Sequence, residues 1–275
     1  MLLFPNCKIN IGLNVLRRRP DGYHDIETLM FPVRGLCDSV ELVRSRGRGV
    51  EFGQSGLTVD CPVERNICVA AYELMRRQYG IGGIKMHLHK AIPFGAGLGG
   101  GSADASFVLK GLSELFGLGL ADETLERLAA ELGSDTAFFV RNRPALCSGR
   151  GEIMAPFDAT ELTDKYLIII KPDVAVPTSE AYRALVPAPA SPLAETLNKS
   201  ITSWRTELKN DFEPAIFARH PVLGKIKRQL YDMGALYASM SGSGAAIYGI
   251  FDSEPDAVAL QSGYFIHTER VFSEK

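Results

Sequence analysis

The sequence predicts an α+β protein of two domains: an N-terminal βα domain over residues 1–160 and a C-terminal ferredoxin-like domain over residues 161–275. Three observations carry that expectation. The chain has 275 residues, about two domains' worth at roughly 100–200 residues each. Its first half sets strand patterns and helical patterns around one long glycine run. From Tyr166 the pattern restarts in the order strand, helix, strand, strand, helix, strand, that of a split βαβ unit.

Taken in order, the first strand is the clearest. Between Lys8 and Val15, Ile9, Ile11, Leu13 and Val15 alternate with Lys8, Asn10, Gly12 and Asn14. A period of two places the aliphatic set on one face and the polar or small set on the other. Pro20, Asp21 and Gly22 predict a turn within Arg17–His24. Strands are expected at Ile26–Val33, Ser39–Arg44 and Gly49–Phe52. Asn66 suits the N-cap of a helix that runs through Tyr79 and stops at Gly80. Ile84–His89 alternates again as a strand and feeds the glycine run, after which Ser102 can open a helix to Phe116. A further helix fits Asp122–Leu132, stopped by Gly133. In the second half, strands are expected at Tyr166–Lys171, Ala235–Met240, Ala245–Phe251 and near Tyr264. Helical stretches follow Tyr166–Lys171, the clearest being Pro221–Met233, and a short helix fits near Glu254–Leu260.

Composition excludes several classes. Apolar residues make up 46% and charged residues 23%, close to the globular average, which argues against a disordered chain, a fibre or a coiled coil. Thirty Lys and Arg against 32 Asp and Glu give a net charge of −2, without the basic coat that grips nucleic acid. The longest apolar run, Ile67–Tyr72, is far shorter than the ~20 residues of a membrane helix. The start, MLLFPNCKIN, lacks the charged region of a signal peptide. Five cysteines at irregular spacing read as reduced thiols in a cytoplasmic protein, each a small buried hydrophobe.

Residues 92–106 read IPFGAGLGGGSADAS. Glycine is costly to order, so this density needs a geometric return. Without Cβ atoms, successive amides can turn inward as an anion nest, and the helix that follows adds its positive end. Gly95, Gly97 and Gly100 satisfy the dinucleotide pattern GxGxxG, but that fold needs a strand after the helix, and here Gly117 and a second helix follow. A Walker A loop would need Lys at position 101, which is Gly. The loop therefore suits a polyphosphate whose charge is met by residues distant in sequence.

These segments together resemble the GHMP kinase superfamily, whose loop has the form Pro-x-Gly-x-Gly-Leu-Gly-Gly-Gly-Ser. Within it, Lys8-Ile9-Asn10, Arg19-Pro20-Asp21-Gly22-Tyr23-His24 and Leu132-Gly133-Ser134-Asp135 are similar to the branch that phosphorylates a cytidine diphosphate conjugate of methylerythritol for isoprenoid synthesis. Met240-Ser241-Gly242-Ser243-Gly244-Ala245 matches the superfamily's third motif. The resemblance spans residues 5 to about 250. It implies a two-domain fold, ATP and Mg²⁺ as cofactors, and transfer to the substrate's 2-hydroxyl. It also implies a catalytic pair, with Asp135 as base and Lys8 orienting the hydroxyl and offsetting charge. His24 would read the cytosine edge, Tyr23 and Tyr182 would stack on the ring, and Asn10 would contact substrate. ATP would meet Asn66, Lys90, Pro93, Gly95, Gly97, Leu98, Gly99, Gly100, Gly101 and Ser102. Asp104 would adjoin the phosphates or the metal, whose ligands are not placed.

Departures from the pattern are Asn6-Cys7 before Lys8, where Pro-Ala is usual, and Ser-Ala-Asp-Ala after the loop, where many relatives carry Ser-Ser-Asn-Ala. His87 and His89 read as a polar sheet face rather than a metal pair. The rival readings are another GHMP kinase acting on mevalonate, homoserine or a sugar, an inactive nucleotide-binding regulator, and an RNA-binding module. The Asp21–His24 segment has no cytidine to read in the first, the presence of both Lys8 and Asp135 opposes the second, and the charge balance opposes the third.

Overall fold

The computed structural model describes residues 1–58, 61–190, 192–256 and 263–272. In the first half the strands are β1 (Leu2–Leu3), β2 (Asn6–Arg18), β3 (His24–Cys37), β4 (Ser39–Arg44), β5 (Val50–Gly56) and β6 (Ile84–Lys90), with helix α1 (Ile67–Tyr79) before the last. Helices α2 (Gly100–Leu115), α3 (Asp122–Leu132) and α4 (Phe138–Arg141) lead to a hairpin, β7 (Ala145–Ser148) and β8 (Ile153–Pro156). Strand β9 (Tyr166–Lys171) is followed by α5 (Thr178–Arg183), α6 (Leu193–Leu197), α7 (Ile201–Glu207), α8 (Glu213–Arg219) and α9 (Pro221–Asp232). Strands β10 (Tyr237–Met240), β11 (Ile247–Phe251) and β12 (Phe265–Arg270) complete the order.

Two compact units share this chain and are interleaved in sequence. One takes Met1–Lys8, Pro32–Phe94 and Gly99–Arg143; the other takes Ile9–Phe31, Gly95–Leu98 and Pro144–Lys275. The sequence-based boundary at 160/161 follows chain order, whereas β2, β3 and the glycine run each pass from one unit to the other.

The first unit holds a sheet in the order β1-β4-β6-β5, with β4 antiparallel and β5 parallel to β6. In β6 the buried Ile84, Met86, Leu88 and Lys90 alternate with the exposed Lys85, His87 and His89. The histidines thus lie on the open face, where both share the hydroxyl of Ser55. Helix α1 buries Cys68, Ala71, Tyr72 and Met75 at helical spacing, starts on the Asn66 cap and ends at Gly80 in left-handed backbone at φ 63°. Helix α2 is followed by Gly117 and α3, as expected, and not by a strand.

The second unit carries an antiparallel sheet in the order β10-β11-β9-β12. Counting the strands in chain order from β9, this is the 4-1-3-2 arrangement read backwards, the ferredoxin-like sheet that the sequence predicts. Leu223, Ile226 and Leu230 of α9 pack with Ile168, Ile170 and Ile247 in its core. A second sheet runs β2-β3-β7-β8, with Thr28 opposite Cys147 and Met30 opposite Ala145.

Several expectations shift. Strand β3 continues to Cys37 rather than ending at Val33, and β2 begins at Asn6. Helix α2 opens at Gly100, not Ser102, because Gly99 at φ 70° makes the turn two residues earlier. The β7–β8 hairpin lies in sequence that carries no periodic signal, and the helical stretches expected before Pro221 resolve into the short helices α5–α8. The helix expected near Glu254–Leu260 lies partly outside the described residues.

Candidate active site

The alternation in β2 delivers its polar residues to the interior and not to solvent. Lys8 is 2% exposed, and Asn10 and Asn14 are equally buried. A buried ammonium needs a partner, and the Lys8 Nζ has one in Asp135 Oδ2 at 3.2 Å. Asp135 lies in the turn between α3 and α4. It is not a helix cap: α4 starts after Ala137 without a side-chain cap. Its carboxylate keeps about a third of its surface in solvent, so one end of the pair is closed and the other accessible. The Lys8 stem also packs on the glycine run. A Cβ at Gly99 would sit 3.1 Å from Lys8 Cε and 3.0 Å from Phe139 Cζ.

Gly95, Gly97 and Gly99 all take left-handed backbone, at φ 61°, 72° and 70°. Alternate left-handed residues turn neighbouring amides to one side, which is the geometry of an anion nest. Between them Ala96 and Leu98 are buried, so Leu98 anchors the loop through its side chain. The third motif braces the same stretch: Ser241 Oγ donates to Gly97 O at 2.8 Å, and Ala246 N donates to Ala96 O at 3.0 Å. Helix α2 then starts with Gly99 as N-cap and no capping side chain. The first-turn amides of Gly100, Gly101 and Ser102 are the kind of donors that a phosphate satisfies. Pro93 is half-buried at the loop entrance.

This geometry separates two glycines. Gly99→Ala is expected to destabilise the fold by at least about 1–2 kcal/mol from left-handed backbone alone, with the clash against Lys8 added. Gly101→Ala meets only Ile67 Cγ2 at 3.8 Å and should melt with the wild type. Chemical denaturation of both variants checks this, and equal stability would contradict it.

Lys90 requires a correction. Strand alternation turns it inward with Ile84, Met86 and Leu88, and it is 4% exposed. Its ammonium bonds Asp38 and, at 2.8 Å, Asp104 Oδ2. It therefore presents no free charge to a nucleotide. Burial opposes the charge on Lys90, yet Asp104 and Asp38 hold its pKa above the ordinary lysine range. Burial outweighs the pull of Lys90 at Asp104 and pushes that carboxyl up to about 8. Asn66 caps α1, its Oδ1 accepting from Cys68 N at 2.9 Å, which uses its oxygen and not its NH₂.

In the second unit the Arg17–His24 segment forms a charged turn. Arg19 bonds both Asp21 and Asp25, Arg17 bonds Asp25, and Tyr23 N donates to Asp21 Oδ1 at 3.1 Å. The direct bond from Arg17, with that from Arg19, holds Asp25 below its usual range. Tyr23 is 52% exposed, with the Arg150 guanidinium 4.6 Å above its ring. His24 stacks on Tyr182 at 4.8 Å and 23°, and Phe212 meets the same tyrosine edge-on at 4.9 Å. The structure thus brings Tyr182 against His24. Burial, with Arg18 nearby, lowers the His24 pKa. Asn10 donates through Nδ2 to Thr28 Oγ1 at 3.2 Å, and its carbonyl accepts from Tyr248.

Three supporting residues escaped the sequence reading. Asn210 Nδ2 donates to Met240 O and Gly242 O, both at 2.8 Å. Glu213 Oε1 accepts from Met240 N at 2.8 Å and Ser239 Oγ at 2.9 Å. Both fix the third motif, and the polar residues Asn210, Asp211 and Glu213 around Phe212 are the one sequence signal that could have found them. Asp38 is the third, carried by a single acidic residue between two strands.

Comparison with known proteins decides the family. The N-terminal domain of GHMP kinases matches residues 66–143, and the C-terminal GHMP kinase domain matches residues 192–265. A 4-diphosphocytidyl-2-C-methyl-D-erythritol kinase of Parabacteroides distasonis is 47% identical over 253 residues, 92% of each chain. One of Bacteroides fragilis is 44% identical over 257 residues, 92% of this chain and 93% of the relative. The chain belongs to the 4-diphosphocytidyl-2-C-methyl-D-erythritol kinase family of GHMP kinases. A crystal structure of a 4-(cytidine 5'-diphospho)-2C-methyl-D-erythritol kinase superposes with a TM-score of 0.77 at 32% identity, covering 91% of this chain and 90% of the other. Family membership makes the chain a small-molecule kinase with the two-domain GHMP fold, as its sequence predicts. It gives no support to the regulatory or RNA-binding readings.

Proposed function

We propose that this chain transfers the γ-phosphoryl group of ATP to the 2-hydroxyl of 4-diphosphocytidyl-2-C-methyl-D-erythritol, in the non-mevalonate route to isoprenoid precursors. The observation that carries the reading is the pair of buried Lys8 and partly exposed Asp135 at 3.2 Å, packed on a glycine loop built for an anion. Asp135 accepts the proton of the 2-hydroxyl as that oxygen bonds the γ-phosphorus, and the bond to the β-phosphate oxygen breaks to release ADP. Lys8 holds the hydroxyl and offsets the charge that develops.

The ATP phosphates lie on the amides of Gly95, Gly97, Gly99, Gly100 and Gly101, with Leu98 and Pro93 shaping the loop and Ser102 adding a hydroxyl. Asn66 serves the adenine side. Mg²⁺ would arrive on the phosphates, as this ion commonly does in kinase sites. That ion supplies charge neutralisation of the triphosphate. In chain order, residues 1–160 carry the ATP loop and the catalytic pair, and residues 161–275 carry the strands of the ferredoxin-like sheet.

His24 reads the cytosine edge, with Tyr23 and Tyr182 as stacking faces and Asn10 a contact to substrate. Its lowered pKa keeps the ring neutral at pH 7, with one nitrogen as an acceptor. Acid adds a proton there and removes the acceptor. The KM for the cytidine substrate is therefore expected to rise as the pH falls through a point below 6.5, the ordinary histidine value. His24→Ala should raise that KM about tenfold at pH 7, one hydrogen bond's worth, and abolish the acid limb. A KM unchanged by His24→Ala would remove His24 from the base-reading role.

The chain is further proposed to work in the cytoplasm on a small molecule alone, without nucleic acid or membrane. Among the described residues no helix is long and apolar enough to cross a membrane. Phosphorus NMR of the product, made with ATP and Mg²⁺, tests the reaction. One new phosphomonoester coupled to carbon 2 is expected for each ADP, and a phosphate on any other hydroxyl would refute the assignment.

A further inference from the structure

The glycine loop carries no cation of its own, yet a buried cluster of charge joins its two ends. On the entry side, Asp38 Oδ1 accepts from the amides of Ala91 and Ile92, at 2.6 and 2.8 Å. These are the two residues between β6 and the loop's Pro93. Asp38 Oδ2 meets the ammonium of Lys90, the last residue of β6. On the exit side the same ammonium bonds Asp104 Oδ2 at 2.8 Å, in the first turns of α2. Lys90 also lies against the start of that helix: a Cβ at Gly100 would come within 3.4 Å of its Nζ.

We propose that Asp38, Lys90 and Asp104 are a charge clamp that sets the span of the phosphate loop, and so governs affinity for the nucleotide's phosphates without touching them. The proposal rests on the ATP role assigned above and deepens it.

Two features make a clamp a better account than a generic buried ion pair. Three ionisable side chains removed from water are costly, and apolar replacements would often stabilise a fold as well or better. The cluster is also unevenly satisfied. Both oxygens of Asp38 are bonded, whereas Asp104 Oδ1 has no hydrogen-bond partner among the described residues although Asp104 is 1% exposed. Asp104 is thus the arm least secured by its surroundings, and its bond to Lys90 is the tie between β6 and α2. These are positioning residues, acting through the loop backbone.

Asp104→Ala cuts that tie but leaves the Lys90–Asp38 pair charge-balanced. Its Kd for ATP and its KM for ATP are expected to rise about tenfold, the loss of one charged hydrogen bond. The KM for the alcohol substrate should stay at the wild-type value. Asp104→Asn keeps an acceptor for Lys90, and its ATP affinity should fall between the two. Calorimetric titration with ATP, steady-state kinetics and thermal melting read all of this. A lower melting temperature with wild-type ATP affinity in the folded enzyme would mean a structural role only and would overturn the clamp. If the alanine variant does not fold, the asparagine variant decides: weaker ATP binding supports the clamp, and wild-type binding overturns it. Wild-type enzyme that binds no ATP would instead sink the ATP reading on which the clamp rests.

Discussion

Asp135→Asn is expected to lower kcat by about 10²–10⁴, the usual cost of losing a general base, with ATP affinity unchanged. The substitution is nearly isosteric and keeps an oxygen that can accept from Lys8 Nζ, 3.2 Å away in the native pair. Asparagine cannot take a proton from the substrate hydroxyl. Because Asp135 is a third exposed and caps no helix, its loss should leave the fold intact. A single-turnover measurement with saturating ATP separates the outcomes. Slow phosphoryl transfer with normal nucleotide binding is predicted, and a wild-type rate would remove Asp135 from the reaction.

Lys8→Met is expected to lower kcat by about 10²–10³, the range for one transition-state charge stabiliser. Methionine is the informative replacement because it keeps an unbranched stem against Gly99 and Phe139, where Lys8 packs. Alanine would open a cavity there and confuse loss of charge with loss of packing. Removing the ammonium leaves Asp135 with access to water, so the stability change should be modest. If the two residues act as one unit, the double variant Lys8→Met/Asp135→Asn should be little slower than the worse single variant. Losses that add in full would mean the two side chains work independently.

The parts of the fold that were legible in sequence are those where one physical signal runs long enough to be read. Helix α1 shows its cap, its apolar spacing and its glycine stop, and the expected ends match the observed ones, Ile67 and Tyr79. The four strands of the ferredoxin-like sheet stand out because glycine, proline and polar residues punctuate them. The short helices between Thr178 and Arg219 have five to seven residues each, under two turns, so they have no period to detect. Tertiary packing alone makes them helical. The β7–β8 hairpin has four residues per strand and is as silent for the same reason.

The candidate site was legible through its motifs and less so through its support. Lys8 and Asp135 are 127 positions apart, and nothing in spacing or composition pairs them; only the resemblance does. Conversely, the alternation in β6 already placed Lys90 on the buried face with Ile84, Met86 and Leu88. Following that period to its end would have predicted a buried lysine needing a carboxylate, rather than a nucleotide contact. Asp38, Asn210 and Glu213 act through backbone amides and carbonyls of segments far away in sequence. Such bonds leave no periodic trace, because the residue type required is set by where the chain returns.

The account's central claim is that this chain selects its alcohol by a cytidine and activates it with Asp135. ADP release with Mg²⁺ and ATP, compared across 4-diphosphocytidyl-2-C-methyl-D-erythritol, mevalonate and homoserine, tests it most directly. The predicted result is turnover with the cytidine-bearing alcohol alone, lost in Asp135→Asn. Comparable turnover of mevalonate or homoserine, or release that survives Asp135→Asn, would contradict it.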